Sequence, residues 1–193
     1  MSLLRAFIAV EIPFEIHQAI ENKTAHIRAM LNSSLIRWVP SSNIHLTLKF
    51  LGDVSPTNVE LLSQMLSVEV SQHQIFEMAF EGLGAFPNPK RPRVIWIGIQ
   101  APAALEALQH GIEAAAATLG YSVEKRPFSP HLTIGRVKQN VNSTGMQKIR
   151  TTLEETQVGS LGTTRVAAVH LFKSDLKPTG AVYTRLFSAP LKT

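Results

Sequence analysis

His45-Leu46-Thr47-Leu48 and His131-Leu132-Thr133-Ile134 are one four-residue pattern written twice, once in each half of a 193-residue chain. Each copy belongs to a run that suits a β-strand, Ile44 to Leu51 in the first half and His131 to Val137 in the second. Successive side chains of a strand point to opposite faces, so residues two apart share a face. His45 and Thr47 are therefore expected to project together while Leu46, Leu48 and Phe50 face the core. His131 and Thr133 likewise share a face, with Leu132 and Ile134 buried behind them. A lone histidine beside a strand is usually structural, and threonine is a favoured strand residue in its own right. It is the repetition that singles out both pairs.

If the two strands face one another across a cleft, two imidazoles and two hydroxyls surround one point. That set suits a phosphate anion. The hydroxyls donate hydrogen bonds to its non-bridging oxygens, a neutral imidazole takes a proton from water, and a protonated one gives a proton to the leaving oxygen. The symmetry of the motif lets either ring play either part. A repeated His-x-Thr supplies two ligands where catalytic zinc usually has three, and no HExxH is present. No metal and no cofactor are therefore expected. His17, His26, His73, His110 and His170 have no comparable neighbours, and His17, His26 and His110 fall on the solvated faces of expected helices.

Outward from the motifs, the chain alternates strands and helices. Arg5 to Glu11 reads as a strand with Ala6, Ile8, Val10 and Ile12 on one face and Arg5, Phe7, Ala9 and Glu11 on the other. Ile16, Ile20, Ile27 and Leu31 mark a helix after Pro13, and Ser55-Pro56 opens a second carrying Val59, Leu62 and Leu66. Ile75 to Leu83 and Val94 to Ile99 read as strands joined by a Pro-rich loop that holds Lys90-Arg91-Pro92-Arg93. Ala103 to Leu119 is a helix closed by Gly120. After the second motif come a helix from Ser143 to Thr156 and two strands, Arg165 to Ser174 and Ala181 to Ser188. The order strand, helix, strand, helix, strand thus occurs twice, with no Gly- or Ser-rich linker between. The expected fold is α+β: a single bilobal, pseudo-symmetric domain over residues 1–193, an internal duplication with one motif per lobe.

Composition narrows the function classes. Hydrophobic residues make up 45% and charged residues 17%, which supports a sizeable core and argues against disorder. No apolar run approaches the roughly 20 residues that span a bilayer. Phe7-Ile8-Ala9-Val10 is too short for a signal peptide, so the cytoplasm is the expected location. The chain has no cysteine, which removes disulfides, thiolate chemistry and Cys-ligated zinc. A net charge of +5 favours polyanions, RNA among them.

The two motifs and their flanks resemble the two-histidine phosphoesterases, specifically the bacterial RNA 2′,3′-cyclic phosphodiesterases once called 2′–5′ RNA ligases. The resemblance runs through Arg5-Ala6-Phe7-Ile8-Ala9, through Arg37-Trp38-Val39-Pro40, and through His45-Leu46-Thr47-Leu48-Lys49-Phe50-Leu51-Gly52. It continues with Phe86-Pro87, Arg93-Val94-Ile95-Trp96, Pro127-Phe128-Ser129-Pro130-His131-Leu132-Thr133-Ile134-Gly135-Arg136 and Gly180-Ala181-Val182-Tyr183. It implies two antiparallel sheets flanking a central cleft, with helices outside. It also implies metal-free opening of a terminal 2′,3′-cyclic phosphate to a 2′-phosphate, with reverse 2′–5′ ligation as a related reaction and tRNA fragments among the RNAs served. His45 then corresponds to the proton donor and His131 to the proton acceptor. Thr47 and Thr133 hold the phosphate, and Arg136 corresponds to a phosphate-binding arginine. The alternatives are a non-catalytic binder of RNA ends and an esterase of small cyclic nucleotides or 2′–5′ oligonucleotides.

Strict alternation would put Arg136 on the face opposite His131, unless the strand ends or bulges at Gly135. The same alternation puts Lys49 beside His45 and Thr47, where it could add charge. Phe7 is expected either to stack on a base or to pack beneath a helix.

Overall fold

The computed structural model describes residues 3–178 and 180–193. Four helices, α1 (Phe14–Met30), α2 (Pro56–Val70), α3 (Ala103–Thr118) and α4 (Ser143–Glu155), lie against a nine-stranded antiparallel sheet. Its strands are β1 (Leu4–Glu11), β2 (Ile36–Trp38), β3 (His45–Val54), β4 (Phe76–Phe86) and β5 (Val94–Gln100). They continue with β6 (His131–Val137), β7 (Ser160–Val166), β8 (Ala168–Lys177) and β9 (Gly180–Pro190). The order is β7-β4-β5-β6-β3-β1-β8-β9, with β2 also on β6.

The main path of the sheet is two four-stranded halves, and β3 and β6 join them through the single register pair Leu46–Leu132. Each member of the pair is the second residue of its motif, so the seam of the molecule runs between the two histidines. Beyond that pair β3 leaves β6, and β2 takes the vacated edge, pairing Ile36 to Trp38 with Val137 to Gly135. The first half-sheet mixes the two ends of the chain, since β1 and β3 are completed by β8 and β9. In the other, β6 is completed by β5, β4 and β7.

The helices form where the spacing of apolar residues predicts. Ile16, Ile20 and Ile27 bury one face of α1, and Leu62, Leu66 and Val70 one face of α2. Ser55 caps α2 by accepting from the Asn58 amide, and Asn142 caps α4 by accepting from that of Gly145. Gly120, at φ +88°, follows α3 in the left-handed conformation that a closing residue needs. α2 packs on α3 and on β8 and β9, α3 lies on β3, and α1 touches β7 and α4. All of this covers one face of the sheet. On the other face Phe7, Ala9 and Phe172 form a small second core with Tyr183.

Two elements differ from the sequence reading. β2 has only three residues, too few to display a period, and it exists because β6 offers an open edge. The single strand expected from Arg165 to Ser174 is two: β7 ends at Val166 on β4, and β8 starts at Ala168 and pairs with β1. Between them the chain passes from one half-sheet to the other at Ala167, whose carbonyl accepts from the Leu191 amide at 2.9 Å. Among the described residues no helix is long and apolar enough to cross a membrane.

Candidate active site

Extending the register from Leu46–Leu132 puts His45 across from Thr133 and Thr47 across from His131, all four on one face. The histidines are then diagonal neighbours, a relation that spaces the residues by roughly 7–8 Å and their Cβ atoms by somewhat less. This leaves room for one phosphate between the rings.

Each imidazole is oriented in the same way. Nδ1 of His45 lies 2.8 Å from the carbonyl of Asn43, and Nδ1 of His131 lies 2.7 Å from that of Ser129, in both cases two residues upstream. A carbonyl only accepts, so Nδ1 carries the hydrogen in both rings and Nε2 is the nitrogen left to exchange protons. Aromatic rings hold each imidazole in place. Phe7 stacks on His45 at 4.7 Å and Tyr183 meets it edge-on at 5.2 Å. Phe86 meets His131 edge-on at 4.8 Å.

Strand irregularities decide which further side chains join this face. β1 pairs Ile8 with Lys49 and Ala9 with Thr47, leaving Leu48 as the extra residue of a bulge. β5 pairs Ile95 with Gly135 and Trp96 with Thr133, leaving Ile134 as the extra residue at the matching place. Each bulge shifts the alternation by one, so the residue three after each threonine returns to the histidine face. In β6 that residue is Arg136. Its charge acts on both His45 and His131, which resolves the conflict that strict alternation raised. Gly135 serves the bulge, because a side chain there would run into Ile36 and Trp38 of β2.

In β3 the returning residue is Phe50, and this corrects two expectations. Phe50 is not a core residue; it is 72% exposed on the histidine side, with its ring 6.4 Å from that of Phe7. Lys49 does not join His45 and Thr47. It is turned inward and is 3% exposed, with Nζ donating to Glu113 at 2.6 Å and to the Ser122 carbonyl at 3.0 Å. The bulge hidden in the sequence exchanges the two. Phe7 needs correction as well. It is 4% exposed, packed against His45, Phe172 and Tyr183, so its ring is a support for His45 and is not open to a base. Tyr183 beside it has no local signal of a site role in the sequence, because it reaches His45 only through the pairing of β9 with β8 and of β8 with β1. His17, expected on a solvated helix face, instead lies with Nε2 3.2 Å from the Ile44 carbonyl, just before His45.

Burial pushes both imidazoles below their usual value of 6.5, and Arg136 lowers them further, while the carbonyls on Nδ1 act in the opposite direction. The protein by itself thus favours two neutral rings, and a bound phosphate anion would favour protonation of one. Burial raises the Tyr183 hydroxyl, and Arg136 opposes that shift. Among the described residues no group of three or more His, Cys, Asp or Glu is placed to hold a metal ion.

A model of the LigT-like phosphoesterases matches the chain twice, over residues 10–96 and 97–183, with one histidine motif in each match. The chain belongs to the LigT-like phosphoesterase family. Family relatives include the RNA 2′,3′-cyclic phosphodiesterase of Methanothermobacter thermautotrophicus, 32% identical over 94% of this chain and 95% of that protein. The protein of the same name from Archaeoglobus fulgidus is 34% identical over 95% and 98%. Among solved structures, a Thermus thermophilus protein superposes with a TM-score of 0.81 at 26% identity, covering 98% of both chains. Escherichia coli LigT complexed with 3′-AMP does so at 0.76, with 26% identity and 99% of both chains covered. The α+β architecture with the phosphoesterase cleft between two half-sheets is therefore that of the family.

Proposed function

We propose that this LigT-like phosphoesterase opens the 2′,3′-cyclic phosphate at the end of an RNA, using His45 and His131 without a metal. The observation that carries the reading is the pair of identically oriented imidazoles, each with Nε2 available, beside two threonines and one arginine. Relatives named for this activity at 32–34% identity over nearly the whole chain support the substrate. The two family matches support reading the chain as one duplicated domain.

In this mechanism Thr47 and Thr133 donate to the non-bridging oxygens, and Arg136 offsets their charge. His131 takes a proton from water as the water attacks phosphorus. The P–O3′ bond breaks opposite, and His45 delivers its Nε2 proton to O3′. The product is a 2′-phosphate with a free 3′-hydroxyl. The two-fold similarity of the site fits either direction, and the donor role of His45 and the acceptor role of His131 follow from the resemblance of the two motifs to those of the family. A 5′-hydroxyl replacing water would give 2′–5′ ligation by the same steps. RNA fragments in the cytoplasm, tRNA pieces among them, would be the substrates.

The test is incubation with a short RNA ending in a 2′,3′-cyclic phosphate, with EDTA present and the terminal phosphate identified. The expected product is the 2′-phosphate at an undiminished rate. Loss of activity on chelation, restored by one particular divalent ion, would refute the metal-free mechanism.

The rate should also report two histidines. One must be neutral and the other protonated, so kcat/KM should rise and then fall with pH, with apparent pKa values that belong to the pair. Both groups are lowered in the free protein, so the optimum should lie on the acid side of 6.5. Arg136 is one cause of the lowering, and Arg136→Gln should move both limbs to higher pH while raising KM. Limbs that stay in place or move to lower pH would contradict the electrostatic assignment.

A further inference from the structure

Arg37 has no part in the chemistry above, and β2, which carries it, is only three residues long. Its partner across the strand pair is Arg136. Residues directly opposite in an antiparallel pair put their side chains on the same face, so Arg37 stands on the histidine face next to the phosphate-binding arginine. Both are exposed, and among the described residues neither forms an ion pair with an acidic side chain. Like charges directly opposite one another destabilise a sheet. Anions beside the two guanidinium groups would remove that penalty.

Position along the strands says where a second anion would sit. β6 runs from His131 through Thr133 to Arg136, and Arg37 lies across the strand edge that β3 has left. β2 and β3 lie along the same edge of β6, so Arg37 is on the same side of β6 as His45, three register positions past the Thr133 that faces His45, and it stands beside the scissile phosphate at the Arg136 end of the site. In an RNA, unlike a mononucleotide, a second phosphate is tied to the same ribose through its 5′ oxygen. We infer that Arg37 is a subsite for the phosphodiester immediately upstream of the terminal nucleotide, so that the enzyme selects cyclic ends that belong to a polynucleotide over free cyclic nucleotides. The inference rests on the cyclic-phosphate reading and refines it. The guanidinium suits this task because it stays charged and donates a fixed fork of hydrogen bonds to phosphate oxygens.

The experiment compares two substrates that differ in that one phosphate: uridine 2′,3′-cyclic phosphate with a free 5′-hydroxyl, and the dinucleotide UpU ending in a 2′,3′-cyclic phosphate. Wild-type protein and Arg37→Gln are assayed on both at several salt concentrations. Arg37→Gln should lose about tenfold in kcat/KM on the dinucleotide, chiefly through KM, and the salt dependence of that value should weaken by about one counterion. Turnover of the mononucleotide should stay within about twofold, which also reports that the fold is intact. Arg37→Lys should recover part of the dinucleotide loss. Equal losses on both substrates, or no loss on either, would overturn the subsite. Failure of the wild-type protein to turn over either substrate would instead remove the phosphodiesterase reading, and the subsite with it.

Discussion

Replacing His45 or His131 by alanine is expected to lower kcat on a cyclic-phosphate RNA end by about 10²–10⁴, the usual worth of one positioned acid or base. The two losses should be comparable, since each ring serves one half of a concerted proton transfer. Combining them should cost little more than the larger single loss, because groups that act as a unit are not additive. Neither change should unfold the protein. Both rings are only partly buried, and each has one hydrogen bond to a carbonyl that water can replace. Single-turnover kinetics with circular dichroism on each variant measures both halves of this expectation. Activity near wild type in either variant would remove that histidine from the mechanism. A melting temperature that collapses in step with the rate would mean the ring is structural.

The second large effect is on stability, at Lys49. Its ammonium is buried against Glu113, and the pair is part of a network. The Glu124 amide donates to Glu113 at 3.3 Å, and Gln109 donates to the Leu48 carbonyl at the bulge, at 3.4 Å. These bonds fasten α3, β3 and the irregular segment before β6 to one another. Removing one partner of a buried pair strands the other charge and typically costs about 3–5 kcal/mol. For a chain of this size that is a fall of roughly 6–20 °C in melting temperature. Lys49→Met should show it, and Lys49→Met combined with Glu113→Leu should regain most of it, because apolar residues of similar volume often replace a buried pair without loss. Calorimetry of the three proteins decides. A single variant that melts with the wild type would show that the pair contributes nothing.

The same residue shows how far the sequence could be read. The period-2 runs of β3 and β6, the helical spacing of Ile16, Ile20 and Ile27, and the twin His-x-Thr motifs are local properties of the chain. They were enough to define an α+β fold, two histidines sharing a face with their threonines, and a phosphate as the natural ligand. Tyr183 and the pairing of Arg37 with Arg136 had no local signature, because each depends on which strand lies alongside.

The sequence by itself therefore determined the pattern within each strand up to Thr47 and Thr133. Past each threonine, tertiary structure decided the facing of the side chains. A bulge is a mismatch between two paired strands, so its position depends on β1 for β3 and on β5 for β6, and neither partner adjoins its strand in the sequence. One extra residue directly after each threonine turned Lys49 from the cleft into the core, brought Phe50 out, and carried Arg136 back to the histidines. β2 obeyed the same rule, because only the departure of β3 from β6 after Leu46–Leu132 left an edge for it to fill.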